Sequence, residues 1–287
     1  HGLKEDFIRT SDIKSKDAYK LLVQNASFVS SSPWADANQS DWSYMRETAY
    51  GIHAHLVSPN FGIAINIPRI EQLKGFAFSQ LDQSFVSFTA QYRKPFMIGV
   101  LAHALIAYYE QVDPDPAIVT RLKLAADYMW TNMWNATSAG FKYTDDTRPS
   151  TITDSTGKVI CTEGTDPCGQ GQEISPDLNM LIAPMYAWLY SITNDDKYIL
   201  EGDAIWSGGV KNGYVQGAKQ FNQSYRWSFQ YLKYRNGSVV ASPTPSPTLA
   251  ATLPPTLAAT PSVTPTKTPT PVYTPIKTPT KSPTPSL

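Results

Sequence analysis

Two cysteines are the residues whose type and spacing indicate the most definite chemistry. Cys161 and Cys168 are the only cysteines of the chain, and they lie close together in a segment rich in glycine, threonine, aspartate and proline. This setting favours a local disulfide formed in an oxidising compartment, with two reduced thiols as the alternative. A metal site would need further ligands, which the neighbouring residues do not offer.

The histidines lack the spacing of a metal site. His53 and His55 are two positions apart on a predicted helix, so their side chains point to different faces. His103 lies among apolar residues, which favours a histidine satisfied within the core. Because no spacing typical of a zinc, phosphate or dinucleotide site occurs either, the sequence predicts neither a metal nor another cofactor.

The elements that must position functional residues are predicted to be helices that come in pairs. Residues 95–111 and 175–193 are apolar nearly all round, which predicts two helices buried on every side. Each is followed by an acidic turn and then by an amphipathic helix, which covers residues 116–133 in the first case and extends from 195 to Gly208 in the second. This shared order indicates an internal repeat of antiparallel helical hairpins.

The remaining segments have weaker patterns. Residues 14–29 and 41–56 predict another pair of outer and inner helices. Residues 60–92 predict a short helix near 69–74, followed by an extended or irregular stretch. Residues 139–173 form a long excursion with a small hairpin, and an excursion of this length in a compact domain is more often functional than idle.

Composition separates residues 1–240 from residues 241–287. The first part holds most of the apolar residues and predicts one globular domain, whereas the second is rich in proline, threonine and serine and predicts a disordered linker or stalk. Such tails are typical of secreted or surface-bound, often glycosylated proteins, so we expect an extracellular or cell-surface location and a missing module or wall anchor beyond the tail. A formal net charge of +0 and short apolar runs give no reason to expect nucleic acid or a membrane span.

Three stretches carry a resemblance to a known class of proteins. WSYMRETAYGIHAHL, KPFMIGVLAHALIAYY and DLNMLIAPMYAWLYSITNDDKY resemble the α/α-toroid proteins, which include many glycoside hydrolases and polysaccharide lyases. The resemblance covers residues 10–235 and implies an all-α fold in which the hairpins form a toroid. Because a six-hairpin toroid usually needs more residues, it also implies either an open, incomplete ring or further hairpins that precede His1. No catalytic signature of a particular family accompanies it.

The resemblance places a substrate cleft where loops enter the inner helices, and the side chains there suit a sugar. Aromatic rings stack on pyranose rings, while two carboxylates act as general acid and as base or nucleophile. The implied catalytic residues are Glu47, Asp177 and Glu173. The implied substrate-binding residues are Trp42, Tyr44, Arg46, Tyr92, Arg93, Asn179, Tyr225, Arg226 and Trp227.

Each of these residues also has a structural interpretation. Glu173 and Asp177 lie near a helix start, where carboxylates serve the helix dipole and the free N–H groups. Arg46 beside Glu47, and Arg226 between two aromatic residues, fit structural pairs.

Three functions therefore stay open. The first is a secreted carbohydrate-active enzyme, either hydrolase or lyase, that acts on a polysaccharide in the toroid cleft. The second is a non-catalytic glycan-binding module that uses the same aromatic residues. The third is a structural subunit of an extracellular surface assembly.

Overall fold

Ten α-helices make up most of the backbone in the computed structural model, which describes residues 2–149, 151–162, 168–169, 171–214 and 216–237. The prediction of a mostly helical protein is confirmed. The predicted tail, 241–287, lies outside the described residues. The helices are α1 (Gly2–Thr10), α2 (Ile13–Asn25), α3 (Pro33–Asn38), α4 (Met45–Val57), α5 (Ile67–Phe85), α6 (Pro95–Gln111), α7 (Pro116–Met133), α8 (Ala183–Thr193), α9 (Asp196–Asn212) and α10 (Ala218–Arg235).

Side-chain caps explain where three of these helices begin. The carboxylate of Asp115 accepts a hydrogen bond from the backbone N–H of Ala117 at the start of α7, and Asp195 accepts one from Lys197 at the start of α9. Asn66 plays the same part for α5. Each cap satisfies a backbone N–H that has no partner within the helix. The acidic turns predicted from the sequence therefore set the starts of α7 and α9.

Helices α4 and α6 lie side by side and run in the same direction. Trp42 and Tyr92, each just before its helix, pack edge to face with ring centroids 4.6 Å apart. His53 and His103 lie equally far into the two helices and are 2.9 Å apart. Contacts at two matching depths require a parallel pair in register.

Helices α8 and α10 also run parallel to α6. Tyr109 of α6 packs on Trp188 of α8 at 5.2 Å, while Gly99, earlier in α6, touches the backbone that leads into α8. Along α10, Trp227 packs on His103 at 4.1 Å and Lys233 lies 3.4 Å from Glu110 of α6. Helix α6 is therefore at the centre of an inner layer formed by α4, α6, α8 and α10.

Helices α5, α7 and α9 form an outer layer that runs the opposite way. The backbone N–H of Trp42 donates to Oε1 of Gln83 at 3.4 Å, and Nε2 of Gln80 donates to Oγ1 of Thr48 at 2.9 Å. A later residue of the α4 segment thus contacts an earlier residue of α5, so the two helices are antiparallel. Ion pairs join neighbouring outer helices, among them Arg121–Asp82 at 2.8 Å and Lys197–Asp127 at 3.0 Å. Antiparallel inner and outer helices are thus observed, while closure into a toroid stays a prediction.

The excursion between α7 and α8 contains two short hairpins. Strand β1 (Trp134–Asn135) pairs with β2 (Gly140–Phe141), and β3 (Ile152–Thr153) pairs with β4 (Val159–Cys161). Cys161 and Cys168 are at disulfide distance, with Cα atoms 5.8 Å apart. The predicted pairing is therefore the one that the structure contains.

The predicted continuous helix over residues 175–193 is wrong. The structure has a 3₁₀ helix at Pro176–Leu181 and begins α8 only at Ala183. Pro184 explains the break, because a proline inside one long helix would lack the N–H that bonds to Met180 and would clash with that carbonyl.

Two further boundaries differ from the sequence prediction. The short helix near 69–74 is in fact the first part of α5, which continues through Gly75 to Phe85. Gly208 does not end α9; a Cβ there would lie 2.1 Å from the carbonyl oxygen of Ala139, so the glycine permits a close backbone approach.

The contact between α6 and the segment before α8 generates the first prediction. A Cβ on Gly99 would lie 2.2 Å from the carbonyl oxygen of Leu181, which is backbone and cannot rotate away. We expect Gly99→Ala to lower the free energy of unfolding by about 1–3 kcal/mol, measured by urea denaturation. The matched control is Gly75→Ala in α5, which meets nothing within 4 Å and should be neutral or stabilise by about 0.5–1 kcal/mol. Equal effects of the two variants would contradict the packing.

Candidate functional site

A cavity of about 750 Å³ lies among α1, α2, α4 and α10. Its volume is in the range that small-molecule ligands occupy in proteins. We call it the central cavity. Its polar and aromatic lining comprises Lys4, Tyr19, Tyr50, His53, Gln223, Arg226 and Trp227, and Leu3, Leu22 and Leu181 are among its apolar lining residues.

His53 of the cavity wall is paired with His103, which lies behind it on α6. Nδ1 of His103 lies 2.9 Å from Nε2 of His53, so one ring donates a hydrogen bond and the other accepts it. Burial lowers the pKa of His53 to about 4, with the positive charge of Arg226 adding to the effect. Burial and the neighbouring His53 also hold the pKa of His103 well below its usual range. Both imidazoles are therefore neutral at physiological pH.

Helix α10 supplies the facing wall. Trp227 is 7% exposed and packs its indole edge-on against His103, while the Arg226 guanidinium lies 5.2 Å from the Trp227 ring. Oε1 of Gln223 is buried and accepts no hydrogen bond from the described residues. A buried acceptor of this kind is costly unless a ligand or water donates to it.

The charge of the central cavity is positive. Lys4 and Arg226 line it, and no aspartate or glutamate is among the described lining residues. A neutral imidazole, a guanidinium and an amide are suited to bind hydroxyl and carboxylate groups. They do not provide the two carboxylates that glycoside hydrolysis uses.

A second group of polar and aromatic residues lies at the ends where α4 and α6 begin. The Lys94 ammonium lies 5.3 Å from the Tyr92 ring and 5.5 Å from the Tyr143 ring, and the Arg148 guanidinium lies 5.8 Å from Tyr92. Together with Trp42, which packs on Tyr92, these residues are called the end cluster. A small pocket of about 50 Å³ opens beside it.

Arg46 and Glu47 lie in the first turn of α4, with Arg46 four residues before Tyr50 of the central cavity. Their side chains form an ion pair at 2.8 Å, with Arg46 half exposed. The hydrogen bond to Glu47 raises the pKa of Arg46. Electrostatic interactions with Tyr50 of the cavity and Tyr143 of the end cluster also raise this pKa. Of the predicted cleft residues, Trp42 and Tyr92 are therefore in contact, and Arg46 follows Trp42 by four residues along the chain.

Three other predicted binding residues have structural partners. The Arg93 side chain is nearly buried, lies 3.1 Å from Asp145 and donates to the carbonyl of Ser84. Asn179 is buried and its amide donates to two backbone carbonyls, those of Ala139 and Ile205. Tyr44 packs against Phe28 and Trp34 rather than against the end cluster. These contacts account for Arg93 and Tyr44 without a ligand, whereas Oδ1 of Asn179 is buried and accepts no hydrogen bond from the described residues.

The predicted carboxylates are not joined by any contact among the described residues. Glu47 pairs with Arg46, and Glu173 is exposed. Asp177 is partly buried, and burial raises its pKa while Lys219 acts in the opposite direction. Asp177 thus has one property of a general acid.

Tyr225 points away from the cavity on an exposed stripe of α10. Its ring is 60% exposed and lies 5.8 Å from Phe221 and 5.1 Å from Phe229. Of the three consecutive predicted residues on this helix, Arg226 and Trp227 line the cavity and Tyr225 does not.

The sequence analysis missed the histidine pair, although a signal for it exists. His53 and His103 are each the fifth residue of the stretches AYGIHAHL and GVLAHALI of two inner helices. If the two helices are parallel and in register, matching positions lie at the same depth. Comparing His53 with His103 rather than with His55 would have predicted the contact.

Searches for metal sites, membrane spans and known relatives give no assignment. Within the described part of the chain, no group of three or more histidine, cysteine, aspartate or glutamate side chains is able to hold a metal ion. No helix there has the length and apolar character needed to cross a membrane. No protein-family model, no curated protein and no solved structure matches the chain.

The low pKa of His53 generates a prediction on stability. Because the pKa in the folded state is about 4, against 6.5 for an ordinary histidine, the unfolded chain takes up this proton first as the pH falls. His53 should therefore reduce stability progressively between pH 6.5 and pH 4. We expect His53→Gln to show a shallower fall in Tm over this range, measured by calorimetry. An unchanged slope would mean that His53 is already solvated.

Proposed function

We propose that this protein is a secreted carbohydrate-active protein that binds a polysaccharide in the central cavity. The inner and outer helices are proposed to form an open α/α toroid around that cavity. The observation that supports this most directly is the combination of an indole wall, Trp227, with a guanidinium and an amide acceptor, Arg226 and Gln223, in a cavity of ligand size. Sugars offer one apolar ring face and several hydroxyl donors, which match these groups.

The cavity lining favours β-elimination over hydrolysis as the reaction. Elimination from a uronate needs a base near the carbon next to the carboxylate and cations to stabilise the charge that develops there. His53 is neutral and so has a ring nitrogen lone pair for the proton, and an anionic substrate would raise its low pKa, while Arg226 and Lys4 are the cations. The absence of carboxylates from the described lining removes a source of repulsion toward an acidic sugar.

In the proposed elimination, His53 acts as the base and Tyr50 acts as the acid. The imidazole of His53 takes the proton from the carbon next to the carboxylate, and the electron pair forms the new carbon–carbon double bond. The glycosidic carbon–oxygen bond at the adjacent carbon breaks, and the phenol of Tyr50 gives its proton to the leaving oxygen. Proton transfer from His53 to the Tyr50 phenolate restores both groups. His103 orients His53 through their hydrogen bond.

Secretion is part of the proposal. The Cys161–Cys168 pairing is of the kind that persists in oxidising compartments. The composition of residues 241–287 is typical of the glycosylated stalks that hold extracellular modules away from a surface.

Hydrolysis is the second candidate, and one observation favours it. Burial raises the pKa of Asp177, as a general acid requires, and Glu47 is the partner predicted from the sequence. In this case the carboxylates would act on a glycan that crosses the helix ends instead of one inside the cavity.

An assay of polysaccharide end groups distinguishes these functions. Incubation of the full chain with polyuronates should produce unsaturated ends, detected by ultraviolet absorbance, and His53→Gln should lower turnover by about a hundredfold or more. Lys211→Gln, on the exposed end of α9, is the matched control and should retain full turnover.

The other outcomes each contradict the elimination proposal in a different way. New reducing ends without unsaturation, lost in Asp177→Asn or Glu47→Gln, would establish the hydrolase. Binding without new ends of either kind would leave a glycan-binding module. Failure to bind any polysaccharide would contradict the proposed function and favour the structural subunit.

A further inference from the structure

Lys94 lies in an unusual environment immediately before α6. Its ammonium is held between the rings of Tyr92 and Tyr143, at 5.3 and 5.5 Å, and it is only partly exposed. The pocket of about 50 Å³ beside it includes Trp42 and Met45 in its lining. The two ring contacts are attractive but they do not neutralise the charge.

The charged groups around Lys94 leave it without a carboxylate partner. Asp146 is the nearby carboxylate, but Arg148 already binds it at 2.8 Å, and Glu47 is bound by Arg46 at the same distance. Among the described residues, no ion pair or hydrogen bond of the Lys94 side chain is present. Burial lowers the pKa of Lys94, Arg46 lowers it further and Asp146 acts in the opposite direction.

This arrangement favours an anionic ligand. A partly desolvated ammonium without a counter-charge is stabilised when a carboxylate or sulfate comes within hydrogen-bond distance. The adjacent Trp42 and Tyr92 rings, packed at 4.6 Å, offer an apolar surface to the ring that carries such a group.

We propose that Lys94, with Trp42, Tyr92 and Tyr143, forms a subsite that binds the anionic group of an acidic sugar. This inference rests on the proposed function and specifies its substrate as an anionic glycan. The subsite is separate from the central cavity, and both border α4, where Arg46 precedes the cavity residue Tyr50 by one helical turn. A glycan chain that follows this face of α4 from one site to the other would place one acidic residue at Lys94 and another beside Arg226.

The test compares two ligands that differ only in charge. Oligogalacturonate and its neutral methyl ester are titrated into the full chain by calorimetry. We expect Lys94→Met to weaken binding of the acid by about tenfold and to leave binding of the ester unchanged, since one charge-assisted contact is lost. The side chain of Lys94 caps no backbone group of α6, so the substitution should not disturb folding. Circular dichroism checks this.

A control variant distinguishes the loss of the Lys94 contact from the loss of one positive charge elsewhere on the surface. Lys211→Met removes one exposed lysine of α9 and should leave the affinity for both ligands unchanged. A sulfated oligosaccharide tests the other anionic group, and a Lys94-dependent affinity for it alone would assign sulfate instead of carboxylate.

Three results would overturn the inference. No effect of Lys94→Met on either anionic ligand would show that Lys94 binds no glycan. An equal loss of affinity for the acid and the ester would show that Lys94 acts through its size and not through its charge. Failure of the unaltered protein to bind any glycan would remove the proposed function together with its subsite, whereas the first two results leave that function standing.

Discussion

The architecture depends on the close packing of α6 against helices on several sides. Its backbone touches the carbonyl of Leu181 because Gly99 has no side chain, and this contact sets the position of the 3₁₀ segment before α8. Its His103 meets His53 of α4 and Trp227 of α10 at one depth. Since apolar burial is the main stabilising term, a helix with this many neighbours fixes where the other inner helices lie.

The candidate site follows from the same packing. His53 and Trp227 line the central cavity because each also contacts His103, so α6 holds opposite walls of the cavity at a fixed separation. The end cluster forms where the parallel starts of α4 and α6 bring Trp42 to Tyr92. The packing of α4 against α6 therefore positions residues of both the central cavity and the end cluster.

Much of this arrangement was predictable from local patterns. The all-round apolar residues of 95–111, the cap at Asp115 and the spacing of Cys161 and Cys168 depend on neighbouring residues, and these predictions agree with the structure. The predictions failed at two single residues. Pro184 interrupts a helix through a local backbone effect that the continuous apolar pattern concealed, and Gly208 has a tertiary role because it allows a close approach to Ala139. The partners of Arg93 and Asn179 come from distant segments, so no local pattern distinguishes these residues from ligand-binding ones.

The central claim is that a glycan occupies the cavity between α4 and α10, and a crystal structure of the full chain with a bound acidic oligosaccharide tests it most directly. The account predicts a sugar ring against Trp227, a hydroxyl donating to Oε1 of Gln223 and a carboxylate near Arg226. A glycan found instead on the exposed stripe of Phe221, Tyr225 and Phe229, with the cavity filled by protein side chains, would contradict it.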